Sequence, residues 1–207
     1  MGQRRCRLVA VRDRLTARGL RRHGVAALAP GNPMMDGFEP APLPVWLEGQ
    51  RRLLLLPGSR LPEALGNLAR LLDGLPSSLE PTTVLLACGS RPSPAELAPL
   101  LGAADFLAGS PPTASGAAAA WRRGAVQLLV GPGCFNRWAG WGELGLATAG
   151  TATEQLVGLG VPALSLPGPG PQFKAGFARR QSRLLGGAVL PCHNARELQS
   201  RLEALLA

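Results

Sequence analysis

The chain has 207 residues, enough for one domain with a full core, and 46 % of them are apolar, which excludes a disordered protein. The longest aliphatic run, Leu53–Leu56, is far too short to cross a membrane, and the amino terminus has no pattern typical of a secretory signal. The formal net charge of +9 suits a phosphate-bearing ligand or an anionic surface. Aromatic residues make up only 4 % of the chain and no nucleic-acid recognition motif is present, which disfavours DNA or RNA as the partner.

Cysteine and histidine are too few and too scattered for a metal site, because zinc ligands recur at short, fixed spacings. We therefore expect no metal, reduced thiols and a cytoplasmic protein. The two histidines are interpreted as surface residues, and no Ser–His–Asp triad can be assembled. The residues concerned are Cys6, Cys88, Cys134, Cys192, His23 and His193.

Residues 1–48 lack the repeated alternation of strand-like and helix-like segments that the rest of the chain shows. The stretch RLVAV predicts one strand, and RDRLTARGLRRHGV predicts one helix rich in arginine. The following APGNPMMDGFEPAPLPVW is a proline-rich connector, which we expect to be extended. One strand and one helix cannot bury a core alone, so we interpret residues 1–48 as the end of a larger amino-terminal domain.

From residue 49 to 207, short apolar runs alternate with segments of helical periodicity. The predicted strands are RRLLLL, TTVLLACGS, ADFLAG, AVQLLVGPG, ELGLATAG, VPALSLPG and AVLP. The predicted helices are LPEALGNLARLLDG, SPAELAPLL, TASGAAAAWRRG, TATEQLVGLG, QFKAGFARRQSRLLGG and a last helix from Asn194 with Leu198, Leu202 and Leu205 facing inward.

This alternation predicts an α/β fold. Most of the strands lack in/out alternation of polarity, which indicates a parallel sheet covered by helices on both faces. We therefore predict a doubly wound, Rossmann-like domain over residues 49–207. Ligands on such sheets bind beyond the carboxyl ends of the strands, so the loops PGSR and AGTATEQ are the candidates for a binding site.

Both loops have residues that suit a nucleotide. Gly58 and Gly150 allow the backbone to approach a ligand closely, and the amides that follow can bind a diphosphate, with Arg60 adding a charged contact. Glu154 lies in a first helical turn, where the helix dipole favours a carboxylate. A carboxylate at that position also matches the two hydroxyls of a ribose. Phosphate-facing and diol-facing groups together are more specific than either group alone.

Other phosphate motifs are weaker. No GxxxxGK[ST] loop is present, and GPGCFN lacks the third glycine of the dinucleotide fingerprint. We interpret GPGCFN as a turn, and a nicotinamide enzyme is disfavoured.

Three motifs, GNPMMD, LPGSR and GTATEQ, occur in an order that resembles the carboxyl-terminal, nucleotide-sugar-binding half of GT-B glycosyltransferases. The chain is most similar to lipid-A-disaccharide synthase and its related proteins, and the likeness covers nearly its whole length. RDRLTARGL and GNPMMDGFEP resemble the junction at which the amino-terminal domain of that family ends.

The resemblance implies a UDP-sugar donor, such as UDP-2,3-diacylglucosamine, a lipid-linked acceptor, contact with the cytoplasmic membrane face and no cofactor. It implies that the two glycine-containing loops flank the UDP diphosphate, that Glu154 binds the ribose and that Gln172 faces the sugar. The implied nucleotide-sugar-binding residues are Gly58, Ser59, Arg60, Gly150, Thr151, Thr153, Glu154 and Gln172.

The chain departs from that family in one respect, since it holds only the last strand and helix of the acceptor domain. No catalytic residue carries over, and Glu143 and Asp105 stay open as acids. We expect the chain to be inactive alone or to depend on a partner that supplies the acceptor domain. Two alternatives stay open: a non-catalytic nucleotide-sugar-binding or interaction module whose basic first segment docks on a membrane or partner, and a UDP-sugar epimerase-like enzyme.

Overall fold

A computed structural model describes residues 6–38, 41–76, 80–168 and 173–207. The chain forms two compact units, residues 1–38 and 39–207. In the first unit, strand β1 (Val9–Ala10) pairs in parallel with strand β2 (Ala27–Leu28), and helix α1 (Arg14–Arg22) connects them. Asp13 caps α1, because its carboxylate accepts the amide N–H of Thr16 at 2.6 Å.

The proline-rich connector continues into the second unit. Trp46 packs edge-on against Trp141 with ring centroids 6.1 Å apart, and the Trp141 indole N–H donates to the carbonyls of Ala41 and Pro42. These contacts fix residues 41–46, which belong to the second unit, to Trp141, about one hundred positions further along the chain. The interpretation of residues 1–48 as the end of a larger domain stays a prediction.

The described residues of the second unit form a three-layer α/β domain whose sheet has eight strands. The strands are β3 (Arg51–Leu56), β4 (Thr82–Cys88), β5 (Leu107–Gly109), β6 (Ala119–Arg123), β7 (Val126–Pro132), β8 (Leu144–Ala147), β9 (Ala163–Ser165) and β10 (Val189–Pro191). The helices are α2 (Glu63–Asp73), α3 (Pro94–Ala103), α4 (Phe135–Trp138), α5 (Thr151–Gly158), α6 (Ala175–Leu184) and α7 (Ala195–Leu206).

The strand order is β10-β9-β8-β3-β4-β7-β6-β5, and every pair is parallel except β5–β6 and β6–β7. From β3 the chain proceeds to β4 and β7 on one side, and then crosses to β8, β9 and β10 on the other. The direction of winding therefore reverses between β3 and β8. This order confirms the predicted doubly wound, Rossmann-like sheet, and such a reversal is where ligands bind in open α/β sheets.

The core lies on both faces of β3. Leu53 and Leu55 are fully buried in the cluster that α2, α3 and α7 cover, and Leu54 and Leu56 are equally buried on the opposite face. Four consecutive buried leucines form a strand here because a central parallel strand has no solvent-facing side. Gly145 of β8 lets α5 approach this sheet closely, since a Cβ there would collide with the Leu156 side chain.

Two predicted elements differ in the structure. TASGAAAAWRRG was predicted as a helix but forms the turn and strand β6, which pairs antiparallel with β7 through a turn at Gly124 (φ 56°). Ala114 (φ 61°) and Gly116 (φ 80°) adopt left-handed backbone that breaks a helix, and Trp121 is buried in the sheet core. In α7, Leu198 and Leu202 are buried as expected, but Leu205 is 53 % exposed.

Candidate functional site

A pocket of about 690 Å³ opens at the carboxyl ends of β3, β4 and β8, where the direction of winding reverses. The ends of these strands are held together by backbone hydrogen bonds. The Thr148 amide donates to the Leu56 carbonyl at 2.9 Å, and the Gly133 amide donates to the Cys88 carbonyl at 2.9 Å. The loops around the pocket therefore start from fixed points on the sheet.

The loop after β3 forms one wall. Gly58 has φ 91°, a conformation that side chains other than glycine rarely adopt, and Ser59 and Arg60 follow it at the pocket surface. Asn67 of α2 holds this loop, because its side-chain Nδ2 donates to the Pro57 carbonyl at 3.0 Å. The loop presents an exposed hydroxyl and an exposed guanidinium to the pocket.

The first turn of α5 forms the facing wall. Gly150, Thr151, Ala152 and Gln155 line the pocket there. The N-cap residue of this eight-residue helix is Gly150, which has no side chain to accept hydrogen bonds from the first amides of the helix. Amides at a helix N-terminus, together with the helix dipole, favour an anion such as a phosphate.

Helix α6 holds the first turn of α5 from behind. Gln181 is buried, and its Nε2 donates to the Gly150 carbonyl at 2.9 Å. Phe177 of the same helix stacks at a tilt on Phe173 with centroids 5.3 Å apart, and both rings line the pocket. The position of Gly150 is therefore set by a side chain 31 residues away.

Two buried acceptors in the pocket wall lack hydrogen-bond partners among the described residues. They are Asn67 Oδ1 and Thr148 Oγ, on side chains that are 8 % and 4 % exposed. Leaving such an atom unpaired costs about 1–3 kcal/mol. Both atoms are closed off from solvent, so a ligand in the pocket would pair with them only after these side chains rotate.

The third wall combines glycine, an aromatic ring and a thiol. Gly133 and Phe135 at the start of α4 line the pocket, and so does Cys88 at the end of β4. Burial raises the pKa of the Cys88 thiol to about 11, with a smaller contribution from nearby Cys134. Burial therefore favours the neutral thiol of Cys88 over the thiolate.

The predicted site residues fall into three groups. The structure brings five of them together in this pocket, and these are Gly58, Ser59, Arg60, Gly150 and Thr151. Thr153 and Glu154 lie in the same helical turn but do not line the pocket, and Gln172 lies outside the described residues. The Thr153 hydroxyl donates to the Ala149 carbonyl at 2.6 Å. The ligand-binding roles of all eight residues stay predictions.

Sequence reasoning missed several lining residues. Gly133 and Phe135 belong to GPGCFN, which was interpreted only as a turn, although its position directly after a strand was a signal. Asn67 gave no signal, because a polar residue in the middle of a helix resembles a surface position. Phe173 and Phe177 gave a weak signal, since they flank the only lysine of the chain just after a strand.

Neither of the two open acids lines the pocket. Glu143 pairs with Arg52 at 2.8 Å and accepts the Arg52 amide at 3.1 Å, so its carboxylate joins the starts of β3 and β8. Asp105 is exposed after α3, with φ 62°. Among the described residues, no group of three or more His, Cys, Asp or Glu side chains is arranged to hold a metal ion.

The strand order and the pocket at the reversal of the sheet define a Rossmann-like α/β domain. No protein-family model and no curated protein matches the sequence. Among solved structures, the chain is similar to a protein of Listeria monocytogenes assigned as a UDP-N-acetylglucosamine 2-epimerase, with a TM-score of 0.59 and 16 % sequence identity. The likeness covers 93 % of this chain and 49 % of that protein, so this chain spans about half of its length. At this identity the comparison establishes the fold alone.

In the described part of the chain, every helix is too short or too polar to cross a membrane.

Proposed function

We propose that the second unit binds a UDP-sugar and is the donor-binding domain of a glycosyltransferase. The observation that carries the proposal is the shared pocket of the Gly58–Arg60 loop and the α5 N-terminus at the reversal of the sheet. A diphosphate bound there would receive hydrogen bonds from the α5 amides and charge from Arg60. The same groups would stabilise the negative charge that develops on a UDP leaving group.

The finer assignment is a member of the lipid-A-disaccharide synthase-related proteins. It rests on the motifs LPGSR and GTATEQ, whose glycines both line the pocket. In this proposal Glu154 binds the ribose, Gln172 faces the sugar, and the donor is UDP-2,3-diacylglucosamine or another UDP-sugar. The acceptor is a lipid-linked sugar, held by a separate acceptor domain. The catalytic acid would also come from that domain.

Calorimetric titration of the full chain with UDP tests the donor site. We expect saturable binding, and we expect Arg60→Met and Glu154→Gln each to weaken it by about 10- to 100-fold, because each removes a charge-assisted hydrogen bond of about 1.5–3 kcal/mol. Arg122→Met and Glu203→Gln are the matched controls, since they lie on β6 and α7, which contribute no described residue to the pocket lining, whereas Glu154 lies in the α5 turn that forms one wall. No heat at millimolar UDP from folded protein would refute the site. Unchanged affinity in Glu154→Gln would refute the ribose contact alone.

A UDP-sugar epimerase is the second candidate, favoured by the likeness to the Listeria monocytogenes protein. The two functions differ in their need for an acceptor. An epimerase inverts a centre of the sugar in a UDP-sugar without one, whereas a transferase releases UDP only when an acceptor is present. Incubation with UDP-N-acetylglucosamine followed by NMR analysis separates them: a new UDP-sugar epimer without acceptor favours the epimerase.

A further inference from the structure

The net charge of the second unit is concentrated in one stretch of the chain. Residues 155–196 contain five basic residues, Lys174, Arg179, Arg180, Arg183 and Arg196, and no carboxylate. The rest of residues 51–207 contains nine basic and nine acidic residues, so it is neutral. This stretch forms β9, α6 and β10, with β10 at one edge of the sheet.

Three of these basic residues lie on the exposed side of helix α6. Its buried residues are Ala178 and Gln181, which face the sheet. Arg179, Arg180 and Arg183 lie on the opposite side of the helix and are all exposed. Among the described residues, none of the three forms a salt bridge or a side-chain hydrogen bond.

Exposed leucines accompany these arginines. Leu184 ends α6 and is 47 % exposed, and Leu190 in β10, the strand that α6 packs against, is 37 % exposed. We name Arg179, Arg180, Arg183 and Leu184 the α6 face. A cluster of exposed arginines favours an anionic lipid surface, because each basic residue near such a surface contributes about 1 kcal/mol of attraction. Nucleic-acid surfaces instead combine cations with aromatic rings for stacking, and the α6 face has none.

We propose that the α6 face docks on an anionic phospholipid surface. The guanidinium groups bind the headgroup phosphates, and Leu184 enters the boundary between headgroups and acyl chains. The second unit then approaches lipid through its own sheet edge, without using the basic first segment. This proposal does not depend on nucleotide binding, and its assay contains no nucleotide.

Co-sedimentation with vesicles tests the proposal. The full chain is mixed with vesicles of phosphatidylglycerol and phosphatidylcholine, and separately with pure phosphatidylcholine. We expect binding only to the anionic vesicles, weakening as salt is raised. Replacing all three α6 arginines (Arg179→Gln, Arg180→Gln, Arg183→Gln) should weaken binding about a hundredfold, because each contact is worth about a fivefold factor.

The control variant removes the same charge from the rest of the second unit, by Arg91→Gln, Arg122→Gln and Arg137→Gln, all at exposed positions outside α6. We expect it to bind within about threefold of wild type. An equal loss in both variants would mean that only net charge matters, and would overturn the proposal. So would a failure of the wild type to bind, or single-stranded RNA that binds through the α6 arginines more tightly than the vesicles do. Circular dichroism confirms that both variants are folded.

Discussion

Gly131 of β7 lies directly under the indole ring of Trp138, so the substitution Gly131→Ala tests the packing of α4 on the sheet. A Cβ at Gly131 would lie 2.6 Å from Trp138 Cζ2 and closer still to two other ring atoms. The ring is fully buried, and its Nε1–H donates to the Ser115 carbonyl at 2.9 Å. The indole therefore cannot turn away without losing this hydrogen bond.

The expected cost of Gly131→Ala has two parts. Overpacking of a well-filled core costs about 1–3 kcal/mol. Loss of the indole hydrogen bond adds about 1 kcal/mol. We expect the free energy of unfolding to fall by about 2–4 kcal/mol, which is a large share of the roughly 5–15 kcal/mol of a typical domain.

Urea denaturation followed by circular dichroism measures this change. The matched control is Gly66→Ala, at an exposed position inside α2 where a Cβ would meet nothing within 4 Å. That variant should gain about 0.5–1 kcal/mol, because alanine is the better helix former. If Gly131→Ala unfolds at the same urea concentration as wild type while Gly66→Ala is stabilised, Trp138 does not pack on β7 as described.

Gln181→Met keeps the length of the side chain but removes its hydrogen bond to the Gly150 carbonyl, so calorimetry should show UDP binding weakened by about 3- to 10-fold. The Tm should stay near that of wild type, because the substitution also removes the buried Oε1 atom that has no hydrogen-bond partner. Leu202→Ala removes a fully buried side chain under the sheet and should cost about 2–5 kcal/mol in urea denaturation; a cost below 1 kcal/mol would contradict the burial. The pKa of Glu96 is lowered from 4.5 to about 2, chiefly by its hydrogen bond from Arg91. Because the folded pKa is depressed, this contribution to stability is present above pH 4.5 and is lost as pH falls towards 2, and Glu96→Gln should abolish that part of the pH dependence of Tm.

Local sequence patterns were sufficient for most of the second unit. RRLLLL forms β3, and TTVLLACGS contains β4, which ends two residues earlier than predicted, because a central parallel strand has an unbroken apolar sequence. The Ser93 cap marked the start of α3 correctly, since the Ser93 hydroxyl and the Glu96 carboxylate form a complete capping box. In such segments, local propensity and tertiary packing agree.

β6 shows where local patterns fail. GAAAAWRRG is rich in alanine, the strongest helix former, and its strand state depends on pairing with β7. That pairing is a tertiary contact, which helix propensity does not report. Leu205 was misplaced for a related reason: helical spacing places it on the inner face, but α7 ends there and leaves it in solvent.

The part of the candidate site that depends on glycines directly after strands could be predicted from the sequence. Gly58 and Gly150 follow strands, and the rule for parallel sheets brings the ends of such strands together. Asn67 and Gln181 could not be predicted, because they act by holding loops from the middle of helices and their partners are backbone carbonyls. No residue pattern specifies such a contact before the helices are packed.

The strand that carries the Gly58 loop has neighbours on both sides, β4 and β8, and its last four side chains are fully buried. Amides in such a strand exchange with solvent only when the whole domain opens, whereas edge strands such as β5 and β10 open in local fluctuations. The Gly58 wall of the pocket is thus anchored to the slowest-opening part of the domain. The wall at Gly150 depends instead on α6, which packs on the edge strand β10, so opening of that edge would loosen this wall first.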